Sequence, residues 1–140
     1  MENDVARCLR RHSDLYENYS VHSFDHRIVK RMLEILPSVR TGILQVAYPI
    51  DSRAAMRDAG ATDLWQHADF VDARLVADVH ASGGQLIVWT ANTATTWERL
   101  AALGVDGICT DNVDAYLDWR SEMEEERNEH VHPANNSGDS

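Results

Sequence analysis

The chain has 140 residues, of which 44% are apolar, and a formal net charge of −10 at pH 7. This length suits one domain with a hydrophobic core, and the acidic balance argues against nucleic acid or an anionic membrane surface as a partner. Two cysteines, Cys8 and Cys109, cannot build a disulfide framework, and no apolar run is long enough for a transmembrane segment. The acidic start lacks the features of a signal peptide, so we expect a cytoplasmic protein.

Helical and extended patterns alternate along the chain. A helical segment at residues 5–12 and a loop at 13–18 come first. The predicted elements that follow are a strand at 19–24, a helix at 26–36, a strand at 41–47, a helix at 52–59, a strand at 68–71, a helix at 72–81, a strand at 86–89, a helix between Thr93 and Gly104, and a strand at 105–109. Five strands that alternate with helices predict an α/β fold with a parallel sheet.

The end of the chain changes in character. Apolar side chains at helical spacing predict a last amphipathic helix as far as residue 127, and they are Val113, Tyr116, Leu117 and Trp119. Residues 128–140 are rich in Ser, Asn and Gly and predict a disordered tail, in which His130 and His132 make a poor metal site. We therefore divide the chain into a folded part, residues 1–121, and an acidic helix end with a disordered tail, residues 122–140.

Residues 83–111 are the most informative stretch. The run from Leu86 to Trp89 follows two glycines and is typical of a buried parallel strand. A helix and a second apolar strand follow, so the stretch predicts a βαβ unit. In such units the chemistry gathers where the strands end. Those ends carry the sequences Trp89-Thr90-Ala91-Asn92 and Thr110-Asp111-Asn112.

Three short sequences resemble motifs of the glycerophosphodiester phosphodiesterase family. VWTAN at 88–92 and GVDGICTD at 104–111 are similar to the last two strands of that family, and VHSFD at 21–25 is similar to an earlier strand end. Their order and spacing also agree with the family. The resemblance covers residues 20–112 and implies a (β/α)8 barrel. A complete barrel needs about 250 residues, so we expect a partial TIM-type barrel that holds family strands four to eight.

The resemblance also implies a chemistry, the hydrolysis of glycerophosphodiesters to an alcohol and glycerol phosphate in lipid metabolism. The family uses two histidines as acid and base and a divalent cation such as Ca or Mg, held by acidic residues. Its first histidine lies in a His-Arg-Gly motif on strand one, and its metal-binding acids follow strands two and three. This sequence has no His-Arg-Gly motif, because Ile28 follows His26 and Arg27. We therefore expect no catalytic and no metal-binding residue in this chain.

The remaining candidates are substrate-binding residues. Phe24 and Trp89 match family positions that line the substrate site, where apolar walls would shield the glycerol or lipid portion of the substrate. The alternative is that both side chains only pack at the rim of the fold. Asn92 and Asp111 either polarise a ligand or cap loops, and loop capping is favoured. The other polar residues are expected to have structural or solvated positions: His22 in the core or rim, His67 and His80 in solvent, and Asp106 as a structural residue.

Three possibilities remain open. The first is the carboxyl-terminal fragment of a glycerophosphodiester phosphodiesterase, inactive on its own. The alternative is a non-catalytic ligand-binding or interaction module, and a third possibility is the remnant of another α/β barrel. For the first two possibilities, the ligand is a glycerophosphodiester or a lipid-derived small molecule. The exposed edge strands at 19–24 and 105–109 predict self-association or complementation by another segment.

Overall fold

A parallel sheet of five strands runs through the chain in the computed structural model, which describes residues 2–12 and 19–131. The strands lie side by side in sequence order, and every neighbouring pair is parallel. They are β1 (Ser20–Ser23), β2 (Arg40–Gln45), β3 (Asp63–His67), β4 (Gln85–Trp89) and β5 (Gly107–Ile108). Because parallel neighbours need a long crossover connection, a helix follows each strand. The predicted α/β fold with five parallel strands is confirmed, and β1 and β5 form the two edges of this sheet.

Six helices accompany the strands within the described residues. They are α1 (Glu2–Arg10), α2 (His26–Ile35), α3 (Ser52–Ala59), α4 (Ala73–Ala81), α5 (Ala94–Leu103) and α6 (Val113–Val131). Four of them begin at a side chain that accepts a hydrogen bond from a backbone N–H of the first turn, namely Asp25, Asp51, Asp72 and Thr93. Gly60 and Gly104 end α3 and α5 with positive φ angles.

The core lies between the sheet and its helices. Alternate strand residues point toward the helices and are fully buried, among them Ile43, Leu64, Leu86 and Val88. The helical side chains that pack against them include Val29, Met56, Val79, Trp97 and Leu100. Burial of one such side chain contributes roughly 1.5–3 kcal/mol relative to leaving it exposed. This layer therefore holds the helices on one side of the sheet.

We refer to the other side of the sheet as the open face. The strand residues that alternate with the core residues belong to it, and they include His22, Leu44, Trp65, His67, Ile87 and Trp89, with Phe24 and Val46 just beyond the strand ends. Phe24 is 59% exposed and Val46 is 52% exposed. In a complete barrel this face would point to the interior.

The sheet is strongly curved, with the open face on the concave side. Phe24 follows β1 and Trp89 ends β4, so three strand spacings, about 14 Å in a flat sheet, separate them. Their ring centroids are nevertheless 5.5 Å apart. In the same way His22 of β1 stacks on Trp65 of β3 with centroids 4.0 Å apart. Such an arc is what part of a barrel requires.

A polar network ties the amino ends of three strands together. Arg40 of β2 donates two hydrogen bonds of 2.7 Å to the carboxylate of Asp63 on β3. Asp63 is 2% exposed, so its charge depends on this partner. The same guanidinium donates to the side-chain carbonyl of Gln85 on β4. The network therefore fixes the end of the sheet that lies opposite to the Phe24–Trp89 contact.

The position of the third strand was predicted wrongly. The strand expected at 68–71 is formed instead by Asp63–His67, and Ala68–Phe70 is a short 3-10 helix. Gln66 takes a core position in β3, where it is fully buried and donates to the carbonyl oxygen of Ala47 at 3.1 Å. Because this polar side chain replaces an apolar one, the strand lacks the hydrophobic alternation by which strands are recognised.

The last helix also differs from the prediction. It continues to Val131, although disorder was expected from residue 128 onward. Tyr116 and Trp119 pack against Trp97 at centroid distances of 5.3 and 5.8 Å, whereas Val113 and Leu117, expected on the same apolar face, are about half exposed. The predicted loop at 13–18, the side chain of His130 and residues 132–140 lie outside the described residues.

Candidate functional site

Aromatic side chains gather at the carboxyl ends of the strands, on the open face. The rings of Phe24 and Trp89 meet edge to face, with centroids 5.5 Å apart. His67 lies 5.2 Å from Trp89 and 5.9 Å from Phe70, and Tyr48 lies 5.6 Å from Phe70. We call these five residues the aromatic rim. The rim brings together Phe24 and Trp89, the two candidate binding residues from the sequence.

Each main rim residue stands where its strand ends. Trp89 is the last residue of β4, His67 is the last residue of β3, and Phe24 directly follows β1. Asp25, the next residue, accepts a hydrogen bond of 3.0 Å from the backbone N–H of Arg27 and so starts α2. The chain therefore turns away from the sheet just after Phe24. Side chains at the carboxyl ends of parallel strands converge where ligands of α/β proteins bind.

An open groove lies beside Phe24, between the ends of β1 and β2. Its volume is about 310 Å³, and its walls include Phe24, His26, Leu44, Val46 and Tyr48. The Nε2 atom of His26 lies 3.3 Å from the carbonyl oxygen of Leu44, which ties α2 to β2. Walls that are mostly carbon suit the apolar part of a small molecule.

Asn92 and Asp111 join the loops that follow β4 and β5. The side-chain amide of Asn92 donates to Oδ2 of Asp111 at 2.8 Å, and its Oδ1 accepts from the Asp111 backbone N–H at 2.8 Å and from the Thr110 hydroxyl at 3.1 Å. Asn112 donates to the carbonyl oxygen of Asn92 at 3.2 Å. These bonds engage both side chains within the loops, so they favour loop capping, the preferred alternative from the sequence.

His80 and Asp106 form a contact at the opposite end of the sheet. The Nε2 atom of His80 lies 2.8 Å from Oδ2 of Asp106, and the same oxygen accepts from the backbone N–H of Leu86 at 2.8 Å. Asp106 thus connects β4 to the helix before it, as expected for a structural residue. His80, which we expected in solvent, has a protein partner.

His22 and His67 both lie on the open face. Burial lowers the pKa of His22, and the Asp63 carboxylate opposes this effect to a smaller extent. The His22 ring that stacks on Trp65 is therefore predominantly neutral at pH 7. His67 was expected in solvent, but it packs against Trp89. Sequence reasoning missed this position because the strand that ends at His67 had been placed too late in the chain.

The acidic residues next to the rim are engaged by protein groups. Two hydrogen bonds from the Arg27 guanidinium to Asp25, of 2.9 and 2.7 Å, lower the pKa of Asp25 to about 2. Burial raises the pKa of the Cys109 thiol on the neighbouring strand end. Among the side chains that the structure describes, those of residues 2–12 and 19–128, no three His, Cys, Asp or Glu residues are grouped closely enough to hold a metal ion. These residues therefore do not fit the divalent cation that the resemblance implies.

Comparison with known families identifies the class of protein. Residues 2–115 match the glycerophosphoryl diester phosphodiesterase family. The chain belongs to this family, since the match covers most of its length. The resemblance seen in the VWTAN, GVDGICTD and VHSFD sequences is thus confirmed, and an unrelated α/β barrel with coincidental motifs is excluded.

Individual relatives agree with this assignment. The Bacillus subtilis (strain 168) protein named "Putative glycerophosphodiester phosphodiesterase YhdW" is 29% identical over 122 residues, which are 81% of this chain and 48% of that protein. A structure from Silicibacter pomeroyi DSS-3, named "Putative glycerophosphoryl diester phosphodiesterase", superposes with a TM-score of 0.79 and 26% identity, over 88% of this chain and 44% of that one. The chain thus spans about half the length of these relatives, in agreement with a partial barrel.

A more distant structure shows the same fold with a ligand. It is an Oleispira antarctica phosphodiesterase in complex with the product sn-glycerol-3-phosphate. It superposes with a TM-score of 0.69 and 20% identity over 73% of this chain and 41% of that one. None of the helices in the described part of our chain combines the length and apolar character that crossing a membrane requires.

Proposed function

We propose that this chain forms the carboxyl-terminal half of a glycerophosphodiester phosphodiesterase barrel and supplies one wall of its substrate pocket. The complete enzyme would hydrolyse a glycerophosphodiester to an alcohol and glycerol phosphate. The contact between Phe24 and Trp89 carries the proposal, because two rings from distant strands meet at the edge of the sheet where the active sites of such barrels lie.

The aromatic rim suits the carbon skeleton of a glycerol or lipid-derived group. Phe24 is 59% exposed, so its ring surface is free to contact a ligand. Rings that exclude water from one side of the substrate lower the local dielectric constant and strengthen electrostatic stabilisation of the reacting phosphodiester. The Oleispira antarctica relative binds sn-glycerol-3-phosphate, which combines a short polyol with a phosphate.

The remainder of the site, in this proposal, comes from another part of the barrel. Hydrolysis of a phosphodiester needs charge stabilisation and proton transfer to the leaving alcohol. The sequence has no His-Arg-Gly motif, and Asp25 and Asp111 near the rim are bound by Arg27 and Asn92. The catalytic histidines and the acids that hold a divalent cation such as Ca or Mg would lie in the part of the barrel that contains strands one to three. We therefore propose that this chain does not hydrolyse substrate by itself.

Two indole groups of the open face support the proposal that another segment of the barrel covers this face. The Nε1 atoms of Trp65 and Trp89 are buried and have no hydrogen-bond partner among the described residues. By contrast, Trp97 on the core side donates to the carbonyl oxygen of Ala91 at 2.6 Å. Buried indole N–H groups usually find an acceptor, and a segment that closes the barrel would bring acceptors to this face.

A complementation assay tests the proposal. The purified chain is incubated with glycerophosphoethanolamine, alone and after mixing with a polypeptide that carries strands one to three of the Silicibacter pomeroyi relative. We expect turnover in the mixture and none from either component. Turnover by the chain alone that Trp89→Ala abolishes would contradict the proposal, since such turnover could not come from a contaminant. A mixture without turnover would argue against complementation.

The second candidate function is a non-catalytic binding module, which the intact rim favours. In this case sn-glycerol-3-phosphate binds to the chain alone, and Trp89→Ala should weaken binding by about fivefold because one aromatic contact is worth on the order of 1 kcal/mol. Trp89→Phe keeps a ring and serves as the control, with a smaller loss. Equal affinities for the unchanged chain and Trp89→Ala, measured by calorimetry, would contradict a binding role for the rim.

Two further expectations from the sequence remain proposals. The sheet edges at β1 and β5 and the open face would lead the chain to associate with copies of itself or with a complementary segment. The cytoplasm remains the compartment that we propose.

A further inference from the structure

His67 has one ring nitrogen engaged by the protein, while no described residue contacts the other through a hydrogen bond. Its Nδ1 atom accepts from the backbone N–H of Asp69 at 3.3 Å. Because a backbone N–H can act only as a donor, Nδ1 carries the lone pair and the proton of the neutral ring sits on Nε2. Neutral His67 therefore has a hydrogen-bond donor, Nε2–H, that the fold does not use.

The ring of His67 is held in place within the rim. It packs edge to face against Trp89 at 5.2 Å with an interplanar angle of 86°, and it lies 5.9 Å from Phe70. The side chain is 35% exposed, so it is both restrained and accessible. A donor that is already positioned loses little rotamer freedom when a ligand binds.

The charges near His67 indicate which part of a ligand this side chain can bind. Oδ2 of Asp69 lies 3.8 Å from Nδ1 of the ring. This carboxylate would repel a phosphate at the same place, and the guanidinium of Arg27 is bound to Asp25. A neutral hydroxyl can accept from Nε2–H without this repulsion, and it is the polar group that a glycerol unit packed on Phe24 and Trp89 would present.

We propose that His67 is a specificity-determining residue of the pocket, and that its Nε2–H donates a hydrogen bond to a hydroxyl of the glycerol part of the substrate. The inference rests on the proposed function, because it requires that the rim contact a glycerol unit. A site with such a donor favours hydroxyl-bearing ligands over analogues that lack the hydroxyl, since the donor would otherwise stay unpaired.

Two ligands and three variants of the full chain test the role of His67. The ligands are sn-glycerol-3-phosphate and propyl phosphate, which has the same carbon skeleton without hydroxyls. We expect His67→Phe to lower the affinity for sn-glycerol-3-phosphate by about tenfold, the loss of one hydrogen bond, and to leave propyl phosphate binding unchanged. His67→Gln keeps an N–H donor near Nε2 and should retain most of the affinity. His12→Phe, in an exposed turn, is the matched control.

The outcomes separate this inference from the proposed function. If neither ligand binds to the unchanged chain or to its mixture with the polypeptide that carries strands one to three, the proposed pocket fails and the role of His67 fails with it. If both ligands bind and His67→Phe changes neither affinity, or lowers both equally, only the specificity role is overturned. An NMR titration of the unchanged chain gives a second readout that needs no variant. The His67 imidazole resonances should shift with sn-glycerol-3-phosphate and stay in place with propyl phosphate, and equal shifts would contradict the proposal.

Discussion

Gly42 lies in β2 beneath two aromatic rings of the neighbouring strands. The strand register pairs it with His22 of β1, and the ring of Trp65 from β3 crosses above it to stack on His22 at 4.0 Å. A Cβ atom at position 42 would lie 2.7 Å from Cδ1 of Trp65 and 2.8 Å from its Nε1. The position therefore requires the small size of glycine, because the indole occupies the space of a side chain.

We expect Gly42→Ala to lower the free energy of unfolding by about 1–3 kcal/mol, the usual cost of overpacking, because the indole must leave its stack on His22. Urea denaturation measures this change. The same substitution should cost less in a Trp65→Leu background, where the crossing ring is absent. Equal costs in both backgrounds would show that contact with Trp65 is not the cause.

The residues of the candidate site were predictable to different degrees. Phe24 and Trp89 could be selected because they stand in motifs that resemble the family, although their mutual contact depends on sheet curvature, which no local pattern encodes. His67 could not be selected, since two contacts make it a candidate, one with the ring of Trp89 and one with the backbone N–H of Asp69. The Trp89 contact forms only when the fold brings β3 and β4 together, and the Asp69 contact depends on the turn into the 3-10 helix that follows β3.

At the scale of elements, local patterns predicted helices and strands where burial follows a simple period. The helices that begin at Asp25 and Thr93 were recognisable from caps and apolar spacing. Strand β3 was not recognisable, because two polar side chains of its sequence, DLWQH, are buried. Asp63 stands at the start of the strand, and Gln66 points to the core. Those polar groups are tolerated through tertiary partners, Arg40 for Asp63 and the Ala47 carbonyl for Gln66.

Arg40 gives a prediction at this scale, since it joins three strands. We expect Arg40→Gln to lower the free energy of unfolding on the order of 2 kcal/mol, the cost of removing charge-assisted hydrogen bonds from a partly exposed guanidinium. Its buried partner Asp63 would keep a charge without compensation. Arg40→Lys keeps the positive charge but loses the bidentate geometry. Its stability in thermal or urea unfolding should therefore lie between that of the unchanged chain and that of Arg40→Gln. A neutral effect of Arg40→Gln would contradict a structural role for the network.

At the scale of the whole molecule, the sheet is an arc with helices on its convex side. The family motifs and the chain length together predicted a partial barrel with two edges, and the structure has β1 and β5 at those edges. How tightly the arc closes could not be predicted, because it depends on ring contacts across several strands, such as the 5.5 Å contact of Phe24 and Trp89. The result is a concave surface that carries apolar side chains toward solvent.

This concave surface leads us to expect that the isolated chain self-associates. Unpaired edges and exposed apolar side chains favour association between copies, and sedimentation velocity over a range of concentrations measures it. Val46→Lys places a charge on the open face and should weaken association, whereas Val113→Lys changes a residue of similar exposure on α6 and should not. A monomeric unchanged chain at all concentrations would contradict self-association, and equal effects of the two substitutions would show that copies meet through another surface.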